Sequence, residues 1–105
     1  MANTFGTDIL IQAPDPRSAA AFYIEQLGFS ITEESPQMIS LHGKNINLFI
    51  ERGPALGPVF EVSVGDVEAS KKRLVAAGAV IVKDEPEFPR TYVRDPYGLI
   101  YNLAK

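Results

Sequence analysis

Hydrophobic and polar positions change their spacing in the second half of the chain, and the change predicts a strand followed by a helix. Phe60, Val62 and Val64 alternate with other residues, as on a strand with one apolar face. Asp66 then offers a side chain that can cap a helix, and apolar positions recur at helical spacing up to Gly78. Because glycine readily adopts the left-handed conformation that ends a helix, a further strand is predicted directly afterwards.

The first half of the chain repeats this pattern. Residues 7–13 alternate as a strand, Asp15 and Pro16 are typical of the cap and first residue of a helix, and Gly28 is placed to end that helix. Gly28 and Gly78 lie 50 positions apart, which is about the length of one supersecondary unit. The expected organisation is a single domain over residues 1–105 with an internal repeat of residues 5–52 and 57–105.

Short apolar runs separated by turns complete each half with further strands. The predicted strands are residues 7–13, 29–34, 38–42, 46–51, 59–64, 80–83, 88–94 and 99–103. Glycine and proline residues at 53–58 predict a linker between the halves, residues 84–87 predict an acidic loop, and residues 95–98 predict a tight turn. The sequence therefore predicts an α+β fold with the element order βαβββ in each half.

One helix in each half can cover only one face of the strands, so the opposite face is available for solvent, pairing or binding. The residues expected on that face combine polar, apolar and aromatic side chains: Asp8, Leu10, Gln12, Asn47, Phe49, Glu51, Val59, Glu61, Ser63, Tyr92, Arg94, Ile100 and Asn102. Such a mixture is typical of a small-molecule site with a few orienting groups. An ordinary solvated sheet face is the alternative interpretation.

Charge and composition exclude several classes of function. A net charge of −3 is unlike that of a nucleic-acid-binding protein, which normally has a basic face. No apolar run is long enough to span a membrane and no secretory signal is evident, so we expect a cytoplasmic protein without a membrane partner. The chain has no cysteine, which excludes a disulfide, a thiolate nucleophile and a cysteine metal site.

Two motifs stand out at the ends of the predicted elements. Phe22 and Tyr23 are followed after three residues by Leu-Gly-Phe at 27–29, and Asp-Pro-Tyr-Gly occupies 95–98. Further matching positions are Asp15, Ser18, Val64, Gly65, Asp66, Leu74 and Gly78. The combination resembles the vicinal oxygen chelate superfamily of glyoxalase I, bleomycin-resistance proteins and extradiol dioxygenases. The resemblance implies two βαβββ modules whose curved mixed sheets surround a cleft, in a protein that forms a homodimer.

The resemblance also implies a divalent metal held by His and Glu side chains at four strand positions. Those positions correspond here to Asp8, Asn47, Val59 and Asn102. Valine has no donor atom, amides are weak ligands, and a single carboxylate cannot hold a transition metal. We therefore predict no metal and no cofactor.

An alternative register leaves a metal site open. A shift in register replaces Val59 by Glu61 and Asn47 by Glu51, and the resulting carboxylates together with Asp8 suit a hard cation. His42, the single histidine, is predicted at a strand end, away from the matched positions.

The function indicated first is metal-independent binding of an aromatic or cationic drug or metabolite. The predicted ligand-binding residues are Asp8, Gln12, Asn47, Phe49, Glu51, Glu61, Tyr92, Arg94 and Asn102. Aromatic faces and carboxylates suit such ligands through stacking and cation–π contact. Arg94 could instead hold an anionic group or form a cross-strand ion pair with Glu61.

Two other functions stay open. One is an enzyme, either a metal-dependent lyase, isomerase or dioxygenase, or a metal-free enzyme with Asp8 or Glu61 as general base and Tyr92 or Arg94 stabilising an oxyanion. The other is an interaction module that has lost its cleft. The sequence therefore leaves open whether any reaction is catalysed.

Overall fold

A computed structural model describes residues 3–85, 87–88 and 90–105 of the chain. Its elements are β1 (Thr4–Ala13), α1 (Pro16–Leu27), β2 (Ser30–Glu34), β3 (Met38–His42), β4 (Asn47–Arg52), β5 (Leu56–Ser63), α2 (Val67–Ala76), β6 (Val80–Glu85), β7 (Arg90–Arg94) and β8 (Ile100–Ala104). The predicted α+β class and the element order are confirmed. The chain divides into two compact units, the N-unit (Thr7–Pro58) and the C-unit (residues 3–6 with Val59–Lys105).

The sheet of the N-unit has the strand order β2-β3-β4-β1, in which β1 and β4 are parallel and the other pairs are antiparallel. Alternate residues of β3 and β4 point to one side and pack with Ala20 of α1. The buried residues of this core are Ala20, Ile39, Leu41, Leu48 and Ile50. The period of two in the sequence therefore sets which side of the sheet α1 covers.

Helix α1 begins where the sequence predicts. The carboxylate of Asp15 accepts hydrogen bonds from Ser18 Oγ at 2.8 Å and from Ser18 N at 3.4 Å. The Ser18 hydroxyl and amide lower the pKa of Asp15, because they stabilise its charged form. Pro16 occupies the first helical turn, and Gly28 ends the helix with a φ of 79°. Both ends of α1 are thus determined by residues adjacent to it.

The sheet of the C-unit has the strand order β5-β8-β7-β6, with β5 and β8 parallel. Helix α2 packs on one face above a core formed by Val62, Val64, Ala79, Val93, Tyr101 and Leu103. Asp66 caps the helix by accepting from Ala69 N at 3.1 Å. Burial raises the pKa of Tyr101, and the charge of Asp95 acts in the same direction.

Some boundaries differ from the predicted ones. Strand β1 begins at Thr4, and β5 begins at Leu56 inside the predicted linker. Proline is tolerated in a strand where its missing N–H is not needed, so glycine and proline content alone placed this boundary too late. The predicted acidic loop is partly strand, because Glu85 lies opposite Arg90 and extends the hairpin of β6 and β7. Pro86 lies outside the described residues. No described helix is long and apolar enough to cross a membrane.

Candidate functional site

The sheet face of the N-unit that lies opposite α1, here called the open face, carries most of the predicted binding residues of that unit. Its cross-strand neighbours form three rows: Asp8, Asn47 and His42; Leu10, Phe49 and Ser40; and Gln12, Glu51 and Met38. Each row takes one residue from β1, one from β4 and one from β3. Because the core residues alternate with these, pleating of the strands directs the two sets to opposite sides of the sheet.

The first row is joined by hydrogen bonds between side chains. Asn47 Nδ2 donates to Asp8 Oδ1 at 2.9 Å, and Asn47 Oδ1 lies 2.8 Å from His42 Nδ1. Asp8 and Asn47 are half-buried, whereas His42 is exposed at the end of β3. An imidazole, an amide and a carboxylate therefore form one continuous polar chain across three strands.

The prediction that His42 lies away from the matched positions is wrong. The turn after β3 closes with a hydrogen bond from Gly43 N to Ile46 O at 2.8 Å, and this turn places His42 directly opposite Asn47. The residues that flank a tight hairpin turn on either side must pair. The pairing could therefore have been derived from the sequence by counting outward from the turn.

The third row lies at the other end of the open face. Gln12 Nε2 donates to Glu51 Oε1 at 3.4 Å, which is longer than either bond of the first row. A Cβ added to Gly53 would lie 3.0 Å from Gln12 Nε2, so the backbone of Gly53 packs closely against the side-chain amide of Gln12. Phe49 lies between the polar rows and is half-buried, which leaves part of its ring accessible.

The open face of the C-unit carries one extended row. Lys83, Tyr92, Asn102 and Glu61 are successive cross-strand neighbours on β6, β7, β8 and β5. The Lys83 ammonium lies 5.6 Å from the centroid of the Tyr92 ring. Tyr92 is only 2% exposed, so the structure gives this predicted stacking residue a packed environment. Asn102 Oδ1 accepts from Thr91 N at 2.9 Å and thereby extends the pairing of β7 with β8.

Glu61 and Arg94 do not form the ion pair that the sequence left open. Arg94 lies opposite Ile100, Glu61 lies opposite Asn102, and β8 separates the strands that carry the two charges. Ion pairs elsewhere in the described residues include Arg17 with Glu34, and Lys71 with Glu68 and Asp84. Glu61 is half-buried and Arg94 is exposed.

The residues that the resemblance matches to metal positions do not fit a metal ion. In the N-unit, Asp8 Oδ1 already accepts from Asn47. The alternative residue Glu51 lies four residues along β4 from Asn47, or about 13 Å at the rise of a strand. In the C-unit, Val59 offers no donor and Asn102 Oδ1 bonds to backbone. Within the part of the chain that the structure describes, no group of three or more His, Cys, Asp or Glu side chains could hold a metal.

A separate cavity of about 480 Å³ lies on the helix side of the N-unit. Its lining comprises Pro16, Arg17, Glu34, Ser35, Pro36, Ile39 and Arg52. Its two guanidinium groups are already engaged, because Arg17 pairs with Glu34 at 3.0 Å and Arg52 donates to two backbone carbonyls.

Comparisons with known proteins agree with this architecture. The family model of the Glyoxalase-like domain matches residues 8–104. A glyoxalase/bleomycin resistance protein/dioxygenase superfamily member from Vibrio splendidus 12B01 aligns over 95% of this chain and 97% of its own, with 17% identity and a TM-score of 0.64. A comparison with curated proteins finds no match.

Two further solved structures have the same fold and are named as two different enzymes. The NAD-dependent benzaldehyde dehydrogenase from Legionella pneumophila aligns over 97% of this chain and 96% of its own, with 15% identity and a TM-score of 0.66. A homoprotocatechuate 2,3-dioxygenase variant from B. fuscum aligns over 97% of this chain but 32% of its own, with 19% identity and a TM-score of 0.61. At such identities the similarity shows the fold alone, and function must be argued from the site.

Proposed function

We propose that this chain, which belongs to the glyoxalase-like domain family, binds a small organic molecule on the open face of its N-unit without a metal ion. The family match confirms the resemblance to the vicinal oxygen chelate superfamily that the sequence motifs indicated. The observation that carries the proposal is the hydrogen bond between Asp8 and Asn47. The resemblance matches these two residues to positions at which the family's enzymes hold a metal, and here they bind each other.

The side chains of the open face favour an aromatic or cationic ligand. Phe49 is half-buried, so a planar group can stack on its accessible surface. Asp8 and Glu51 contribute carboxylates in the rows on either side of it, and each is held by an amide of the same row. A flat ligand with a positive group therefore finds an aromatic surface and an acidic partner within one sheet face.

The remaining predicted ligand residues belong to the C-unit. Glu61 and Arg94 present charged groups on the open face of that unit, and their role as ligand contacts stays a prediction from the sequence. Asn102 is held by the backbone of Thr91, so we assign it a supporting role. Tyr92 packs beneath Lys83, and we propose that it shapes this face without stacking on the ligand.

The proposal is tested with benzamidine, a planar aromatic cation, and its neutral analogue benzamide, by chemical-shift changes of the backbone amides. Benzamidine should shift residues around Phe49 more than benzamide does. Phe49→Leu should weaken the binding several-fold, because a leucine cannot stack. Phe22→Leu is the matched control, since Phe22 is 57% exposed on α1 and its ring contacts Tyr23.

Dialysis against a chelator decides the question of metal independence. Unchanged benzamidine binding and an absence of stoichiometric metal in the purified protein are the expected results. Loss of binding after chelation, restored by a divalent metal, would reverse the proposal in favour of the lyase, isomerase or dioxygenase alternative. Retained binding in Phe49→Leu would show that the open face of the N-unit is not the site.

We further propose that the protein forms a homodimer. Apolar side chains on α1 are exposed in the N-unit: Phe22 is 57%, Ile24 37% and Leu27 63% exposed. Burying such a surface against a second copy would remove it from water. Sedimentation equilibrium of the wild type and of Leu27→Glu tests this, with a monomeric wild type as the contradicting result. The cytoplasmic location stays a prediction from the sequence.

A further inference from the structure

We infer that His42 Nε2 is the acceptor of a hydrogen bond from the ligand, and that Asn47 and Asp8 hold the imidazole in the tautomer that makes this possible. The inference rests on the proposed function for the presence of a ligand. It names the group that recognises the ligand and the chemical class the ligand must have.

The acceptor role follows from the hydrogen-bond chain. A carboxylate has no proton to donate, so the Asn47 group facing Asp8 must be its NH₂, which donates at 2.9 Å. The carbonyl oxygen of the same amide then faces His42 Nδ1 at 2.8 Å. Because that oxygen can only accept, Nδ1 must carry the proton. In the neutral ring, Nε2 therefore has a lone pair and no proton.

The position of Phe49 specifies what donates to that lone pair. His42 lies opposite Asn47, and Phe49 follows Asn47 by two residues on the same face of β4. Such diagonal neighbours on a sheet lie about 7–8 Å apart, which an aromatic ligand can span. A planar ring stacked on Phe49 can thus direct an N–H or O–H group to Nε2. The expected ligand class is an aromatic molecule with a proton donor on its ring.

The members of the chain have distinct roles. His42 is exposed and accepts from the ligand's N–H or O–H group, whereas Asn47 and Asp8 are half-buried and affect this hydrogen bond through His42. Asn47 and Asp8 are therefore positioning residues. Their substitution should change the tautomer of His42, which a purely structural contribution to folding would not do.

The test combines ¹⁵N NMR of the imidazole with a matched pair of probes. His42 is the single histidine of the chain, so its two ring nitrogens give unambiguous signals. Indole carries a ring N–H and N-methylindole lacks it, while both present the same aromatic surface. We expect the Nδ1–H tautomer in the free protein, and tighter binding of indole by about fivefold, the effect of one net hydrogen bond.

Three variants separate the roles. His42→Ala should abolish the preference for indole, while the binding of N-methylindole changes little. Asn47→Leu should increase the population of the Nε2–H tautomer and reduce the preference. Arg17→Leu removes the ion pair with Glu34 on the helix side of the N-unit and is the control, so it should leave both the tautomer and the preference unchanged.

Each outcome of these experiments either supports or overturns the inference about His42. An Nε2–H tautomer in the wild type, or a preference for indole that survives His42→Ala, overturns the inference and leaves the proposed function intact. Equal binding of the two probes has the same consequence. If neither probe nor benzamidine binds the folded protein, the proposed function fails together with the inference. An Nδ1–H tautomer with preferential indole binding that is lost in His42→Ala supports both.

Discussion

Asp8 and Asn47 should stabilise the protein jointly by an amount that a double-mutant cycle can measure. The bond from Asn47 Nδ2 to Asp8 Oδ1 is 2.9 Å long and ends on a carboxylate. A hydrogen bond to a charged group contributes about 1.5–3 kcal/mol when it is buried. Because both residues are half-buried, water replaces part of the interaction, and we expect a coupling free energy of about 1–1.5 kcal/mol.

The assay is urea unfolding of the wild type, Asp8→Ala, Asn47→Ala and the double variant, followed by far-UV circular dichroism. Equal slopes against urea are required before the free energies are combined. The cycle cancels the separate contact of Asn47 with His42, because both proteins that lack Asn47 lack it. Gln12 and Glu51 provide the control cycle on the same two strands.

The control sets the scale of the expected result. The bond from Gln12 to Glu51 is 3.4 Å long, so its coupling should be smaller than that of Asp8 with Asn47. A coupling between Asp8 and Asn47 within about 0.3 kcal/mol of zero would refute the reasoning. A coupling no larger than that of the control pair would refute it equally, since the shorter bond would then have no energetic consequence.

Three further predictions concern the helix ends. Asp66→Ala should lower the free energy of unfolding by about 1 kcal/mol in urea, with most of the loss restored in Asp66→Ser. Gly78→Ala should lower the melting temperature more than Gly28→Ala. Both glycines have positive φ, but only at Gly78 would the new Cβ lie 3.1 Å from a proline ring carbon. Equal losses in melting temperature would contradict this prediction. The pKa of Asp15 is lowered by hydrogen bonds from Ser18, so its stabilisation is present above the unfolded pKa and is lost as the pH falls through the folded pKa. Asp15→Asn should therefore weaken the dependence of the free energy of unfolding on pH in the acid range. An unchanged pH dependence in that range would be evidence against the prediction.

The fold was predictable because its signals are local. Asp15 and Asp66 cap helices through residues only three positions away, and the Gly28 and Gly78 positions need nothing beyond their own backbone. The turn at residues 95–98 is likewise held by its own first residue, since Asp95 accepts from the amide of Tyr97 in the turn and from that of Leu99 just after it. Patterns of this kind can be identified in a sequence without knowledge of distant contacts.

The site was predictable only in part because it depends on register. The residues on the open faces followed from alternation, but which of them meet across strands did not. Counting back from Val64 matched Val59 to a metal position of the C-unit and left Glu61 as the alternative, and the strand pairing sets Glu61 beside Asn102. His42 is the exception, because the tight turn that follows it fixes its pairing with Asn47 and can be identified in the sequence. The burial of Tyr92 depends on packing that no local pattern encodes.

The chemistry of the first row depends on a single functional group, the amide of Asn47. Asn47→Asp would exchange one NH₂ for an oxygen and leave two carboxylates beside the imidazole of His42 on adjacent strands. Two oxygen ligands and one nitrogen ligand are a donor set that suits divalent transition metals. The surface proposed to bind an organic molecule is therefore one substitution away from the donors of a metalloprotein, and the same exchange offers a route for engineering one.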